Sequence, residues 1–136
     1  MAQIIIYQNP YGPNVVTCRP APDVSIEEAL QKACPEGAII VDDSILPQGD
    51  DAEFFDAWVL NEDNTISVNL DKAKSDLLVK YNGTAVLVAQ KRQLNTLTGL
   101  TNTPDDATFI RNLNADRIRI SSANSTTELL NVAMPS

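Results

Sequence analysis

Eighteen carboxylates, ten basic side chains and no histidine set the chemistry open to this sequence. Without imidazole there is no usual general base, no common metal ligand and no Ser-His or Cys-His nucleophile pair. Catalysis would have to rest on carboxylates, Lys, Tyr or Cys. The carboxylates cluster at Asp42-Asp43, at Asp50-Asp51 with Glu53, and at Asp105-Asp106. None of these has the spacing or the obligatory glycine of an EF-hand loop, and nothing sets two of them across a cleft as glycoside hydrolysis requires. They read as solvated loop charge, and Asn61-Glu62-Asp63-Asn64 reads as a turn, because Asn and Asp tolerate turn geometry. Cys18 and Cys34 stand sixteen positions apart with no Cys-x-x-Cys, which offers neither a zinc knuckle nor a thioredoxin-like pair. A bridge between them is disfavoured in a reducing compartment. No catalytic residue, metal or cofactor is expected.

Binding chemistry is equally constrained. A net charge of −8 repels phosphate backbones, so nucleic acid is not an expected partner. The five glycines are scattered and cannot assemble a phosphate-cradling loop. Lys91-Arg92, Arg111, Arg117 and Arg119 are the main positive groups; if residues 116–120 are extended, Arg117 and Arg119 share one solvated face. Trp58, beside Phe54 and Phe55, is either an interaction anchor or a core plug between sheet and helix.

The elements that must position these residues follow from patterning over 136 residues, a one-domain length with 43% hydrophobic side chains. Residues 3–7 and 14–18 are β-rich runs around a Pro/Gly turn and predict a hairpin. Ser25 and Glu28 make a capping box for a helix over 26–34, which Pro35-Glu36-Gly37 closes. Ala38-Ile39-Ile40-Val41 predicts a third strand, residues 44–53 a surface loop, and 54–60 with 65–69 a second hairpin. Leu70, Ala73, Leu77 and Tyr81 then keep a helical stripe. Asn82-Gly83 either ends that helix or sits inside it at a cost of about 1 kcal/mol relative to Ala. The run 90–97 favours one helix over 71–98, spanning about 40 Å. Pro104-Asp105-Asp106 starts a helix over 107–113 that extends towards 119, and Ser125 with Glu128 caps a last one through Val132. The expected fold class is α+β: a small antiparallel sheet of two hairpins plus a short helix in residues 1–69, then a long helix and a helical C-terminal part in 70–136, packed on the first part or projecting from it. No apolar run reaches the roughly 18 residues a membrane helix needs, and residues 2–7 are too short and uncharged for a signal peptide.

Three stretches carry a resemblance. Ile40-Val41-Asp42-Asp43 with Pro47, then Phe54/Phe55-Asp56-Ala57-Trp58-Val59, then Ser67-Val68-Asn69-Leu70-Asp71-Lys72-Ala73-Lys74 together look like small proteins of tailed phages and prophages encoded among tail and tail-fibre genes. The ending Ser125-Thr126-Thr127-Glu128-Leu129-Leu130 is similar to the Thr-Pro-Glu-Glu-Leu ending of that group, with Thr127 near the place of the proline. The sequence departs from the group after Ala73, where an arginine-rich helix is usual and Leu78-Val79 and Val86-Leu87-Val88 stand instead. That departure points to a buried or oligomeric helix. The resemblance implies a non-enzymatic tail, fibre or baseplate protein, structural or acting in assembly. Its expected partners are other phage structural proteins or a second copy of itself, docking through Trp58, Leu77, Tyr81 and Val88. It is expected in the host cytoplasm when made, and in the virion if it is a subunit. The alternative is a small acidic inhibitor of a host defence protein, steered by its charge.

Overall fold

Three consecutive isoleucines place one strand between two covered faces. In the computed structural model, which describes residues 2–136, Ile4, Ile5 and Ile6 are fully buried. They lie in β1 (Gln3–Gln8), the middle of an antiparallel sheet ordered β2–β1–β3, with β2 at Val15–Cys18 and β3 at Ile39–Asp42. The register sets Ile6 opposite Thr17 on one side and Ile39 on the other. Alternation sends Ile4 and Ile6 to one face, where they cluster with Val15, Trp58 and Ile66. Ile5 points to the other face, where α1 (Ile26–Ala33) packs on β1 and β3 with Ala29 buried. Ser25 caps α1 by accepting from the Glu28 amide at 3.1 Å, as the capping signature predicts. The Glu28 side chain takes Lys32 instead, at 2.9 Å.

The second hairpin is shorter than its β-rich composition predicts. Residues 49–57 form 3₁₀ turns with a kink at Phe54, and only β4 (Trp58–Leu60) and β5 (Ile66–Val68) pair, as a separate two-stranded sheet. The Trp58 indole N–H donates to the Asp51 carbonyl at 3.0 Å, drawing the acidic segment back over the ring, so tertiary contact overrides the strand preference of Phe54 and Phe55. The predicted loop over 44–53 likewise contains turns of 3₁₀ helix, including Asp43–Ile45. Asn64 takes a left-handed φ of 67° in the connecting turn, a conformation asparagine adopts readily.

The chain divides into two compact units, residues 1–69 and 70–136. In the second, α2 (Leu70–Leu97) runs uninterrupted through Asn82-Gly83. Its end is a Schellman motif: Gly99, at φ 80°, donates to the Thr96 carbonyl, and Leu100 donates to that of Asn95. α3 (Asp106–Ser122) is longer than expected and ends beyond Arg119. Residues 116–120 are therefore helical, which turns Arg117 and Arg119 onto different faces. Asp105 caps α3 through the Thr108 amide at 2.8 Å, and Ser125 caps the short α4 (Thr126–Leu130). Val132, expected within this last helix, lies just past it and is buried. The architecture is α+β with small antiparallel sheets and a dominant long helix.

A β-carbon built on Gly83 meets no neighbouring atom within 4 Å. Gly83→Ala should therefore stabilise the protein by about 1 kcal/mol, read as a raised urea midpoint; a glycine that interrupted the helix in a left-handed turn would give a loss instead.

Candidate functional site

Side chains along α2 advance about 100° per residue, so Tyr81, Ala85, Val88 and Arg92 share one face and Val79, Val86 and Leu97 the opposite one. The first face is the inner one. Tyr81 and Ala73 are fully buried and Ala85 nearly so, with α3 and α4 packed against the helix. The Tyr81 hydroxyl donates to Asp116 Oδ2 on α3 at 2.6 Å. Two bonds flank this pair: Arg117 Nε donates to Asn82 Oδ1 at 3.0 Å, and Lys74 Nζ to the Ser121 carbonyl at 3.2 Å. Burial first, then the bond to Asp116, pushes the Tyr81 phenol well above the ordinary tyrosine range.

One turn short of its end, α2 buries Arg92. Its guanidinium lies 4.4 Å from the centroid of Phe109, donates to the Pro104 carbonyl and reaches Asp106 at 3.0 Å. Asn102 donates to the Arg92 carbonyl at 3.0 Å and accepts from Asn95, which ties the α2–α3 connection to the helix end. Arg92 Nε faces no acceptor; the ring beneath the guanidinium supplies the attraction that remains. In the sequence Arg92 stands out only as one of the main positive groups, beside Lys91. Its signal was position, since it falls eleven residues after Tyr81 on the same face.

The opposite face is open. Val79, Val86, Leu87, Leu94 and Leu97 are each between 56% and 76% exposed, and Gly83, Gln90 and Gln93 lie exposed among them. None of these side chains is charged. The stripe runs from residue 79 to residue 97, about 27 Å at 1.5 Å per residue. Beside it lies a groove of about 540 Å³, whose lining includes Ala89, Leu97, Phe109 and Ile110 together with the charged Arg92 and Asp106. Exposed aliphatic side chains grouped on one helix face make this the candidate interaction surface.

The four residues expected to dock stand elsewhere. Trp58 is core, packed with Ile4, Ile6, Val15 and Ile66 in the first unit. Tyr81 has no exposed surface, and Leu77 and Val88, half-buried, share its face of α2. The periodicity that marks Leu77 and Tyr81 is that of the inner face; the outer stripe is legible as Val79 and Val86, one heptad apart.

Asp42 and Asp105, one from each of two carboxylate clusters, serve the backbone. Asp42 accepts from the Ser44 amide at 2.9 Å, and that bond holds its carboxyl below the usual range; Asp105 is lowered in the same way by its Thr108 cap. Asp43 pairs with Arg19 at 3.2 Å. Among the described residues no three His, Cys, Asp or Glu groups converge as a metal site, and no helix is long and apolar enough to cross a membrane. Cys18 and Cys34 are neighbouring free thiols, and burial, then the nearby Cys18, pushes the Cys34 thiol up. The charge is strongly segregated. Residues 1–69 hold twelve acidic and two basic side chains, a net −10, and residues 70–136 hold six and eight, a net +2. Comparisons with family models, curated proteins and solved structures find no match to this chain.

Because Tyr81 keeps its proton more firmly in the folded state, that contribution to stability is complete below pH 10.0 and is lost as the pH climbs above it. Tyr81→Phe should cost about 1–2 kcal/mol at neutral pH, with the gap from wild type narrowing in alkaline solution. Urea unfolding of both proteins on either side of pH 10.0 checks this, and a gap that stays constant would refute it.

Proposed function

We propose that this is a non-enzymatic docking protein of the tail, fibre or baseplate region of a tailed phage, acting in the virion or in its assembly. The observation that carries the docking mechanism is the uncharged, exposed apolar stripe along the outer face of α2. Apolar surface held on a rigid helix meets a partner with little ordering cost, and five exposed aliphatic side chains provide the buried centre of such a contact. The assignment to the phage tail is supported by the resemblance of the segments around Asp42-Asp43, Ala57-Trp58 and Asp71-Lys72-Ala73 to proteins of that group.

A second reading, an acidic inhibitor of a host defence protein, is favoured by one observation: the net −10 of residues 1–69 would steer that unit towards a basic surface. The two readings separate on salt. Docking through the α2 stripe should hold its affinity from low to physiological ionic strength, whereas capture through the acidic unit should weaken steeply.

Quantitative mass spectrometry of highly purified particles, against a known tail component, tests the first reading. A fixed copy number per particle supports a structural subunit, and co-purification with tail intermediates alone supports an assembly role. Absence from both would overturn the tail assignment.

A further inference from the structure

The two cysteines meet on one face of the three-stranded sheet. Cys18 is the last residue of β2, an edge strand, and its register partner on β1 is Ile5. Residues directly opposite in an antiparallel pair share a face, so Cys18 stands on the side of the sheet that α1 covers, beside the fully buried Ile5. Cys34 is the residue on which α1 ends, with extended angles of φ −117° and ψ 148°. Both are free thiols, half-buried and within reach of small solutes. We infer that Cys18 and Cys34 form a reversible disulfide in oxidising surroundings, a redox-operated tie between the end of α1 and the sheet it covers. The inference does not rest on the docking reading.

The local structure suits such a bond. Cys34 lies past the last helical residue, so its backbone can adjust to the geometry a disulfide requires without unwinding α1. The thiols are close enough for Cys18 to act on the Cys34 proton, and the chain has no third cysteine to compete. The chemistry is thiol–disulfide exchange, with a small-molecule disulfide of the glutathione type as oxidant. One protein thiol loses its proton, and the thiolate attacks a sulfur of the oxidant, forming a mixed disulfide and expelling one small thiolate. The other protein thiol, deprotonated in turn, attacks the protein sulfur of that mixed disulfide, which forms the Cys18–Cys34 bond and expels the second small thiolate. The two protons end on the expelled groups, so two protein thiols lose two electrons as one small disulfide is reduced to two thiols. In a reducing compartment the exchange runs backwards and the pair stays open. Helix α1 already packs on β1 and β3, and the bond fastens it to β2 as well.

Equilibrating the full chain with reduced and oxidised glutathione over a range of ratios, then quenching, alkylating and weighing the intact protein, tests this. The expected species at oxidising ratios is a single chain that has lost two hydrogens, takes up no alkylating agent and yields a linked Cys18–Cys34 peptide on digestion. Because the fold brings the thiols together, the native chain should favour the bridge over mixed disulfides about a hundredfold more than the same chain in denaturing urea. By linkage the bridged form should show a raised urea midpoint, and hydrogen exchange in α1 should slow. Cys18→Ser and Cys34→Ser should each stop at one glutathione adduct. A native chain that accumulates two glutathione adducts, or that links to a second chain, overturns the inference. So does a bridge that is no more favoured in the folded protein than in urea, because the fold would then be holding the thiols apart.

Discussion

A long helix that is apolar on two opposite faces can have only one of them covered by the two further helices of its own unit. This constraint governs residues 70–136. α2 carries Ala73, Tyr81 and Ala85 on one side and Val79, Val86 and Leu97 on the other, and α3 and α4 both pack on the first. The choice is enforced by polar as well as apolar groups. Tyr81 buries a hydroxyl that must find an acceptor, and Asp116 on α3 supplies it; Arg92 buries a guanidinium that must find carbonyls and a ring, and the α2–α3 connection supplies them. Turning α2 by half a revolution would bury the aliphatic stripe but strand both partners. Alanines at 73 and 85 leave the space for close packing beside the tyrosine, whereas the branched side chains of the outer face stay largely exposed.

The first unit answers to a different constraint, a central strand with no solvent face. Burying Ile4, Ile5 and Ile6 needs a layer on either side, and the sequence provides α1 for one and the Trp58 hairpin for the other. Acidic residues then sit at the margins, where they do local work. Asp42 closes a 3₁₀ turn, Asp43 takes Arg19 and Asp63 accepts from Thr65, whose bonds hold its carboxyl below the usual range. Carboxylates used as caps and turn locks are satisfied by backbone amides and hydroxyls and need no cationic partner. The remaining charge lies on its surface and gives residues 1–69 a field of their own.

Much of this architecture is written in local pattern. Ser25 with Glu28, Pro104-Asp105 and Ser125 with Glu128 each mark a helix start that the structure keeps, and the β-branched runs at 3–7 and 38–41 mark strands. What escapes local pattern is decided by tertiary contact. Phe54 and Phe55 have strand composition, yet the indole of Trp58 captures the Asp51 carbonyl and the backbone coils. Gly83, by contrast, looks like a breaker, but the run over 90–97 already marks one helix through it, and the structure keeps that helix. The candidate site was only half legible for a related reason: apolar periodicity finds faces and does not say which one is inner. Leu77 and Tyr81 versus Val79 and Val86 are equivalent as stripes; the distinguishing sign was Tyr81 and Arg92, side chains that repay burial only with a specific partner on another helix.

The outer stripe is also tempered in a way that bears on its use. Gly83, Gln90 and Gln93 stand among its exposed aliphatic residues, so its aliphatic surface is interrupted rather than continuous. An all-leucine seam of the same length would associate more tightly and with less selectivity for partner and register, because aliphatic surface is non-directional. Amide side chains can meet an apolar neighbour with their methylenes and still reach water or one another with their heads, which lowers affinity while keeping the surface wettable.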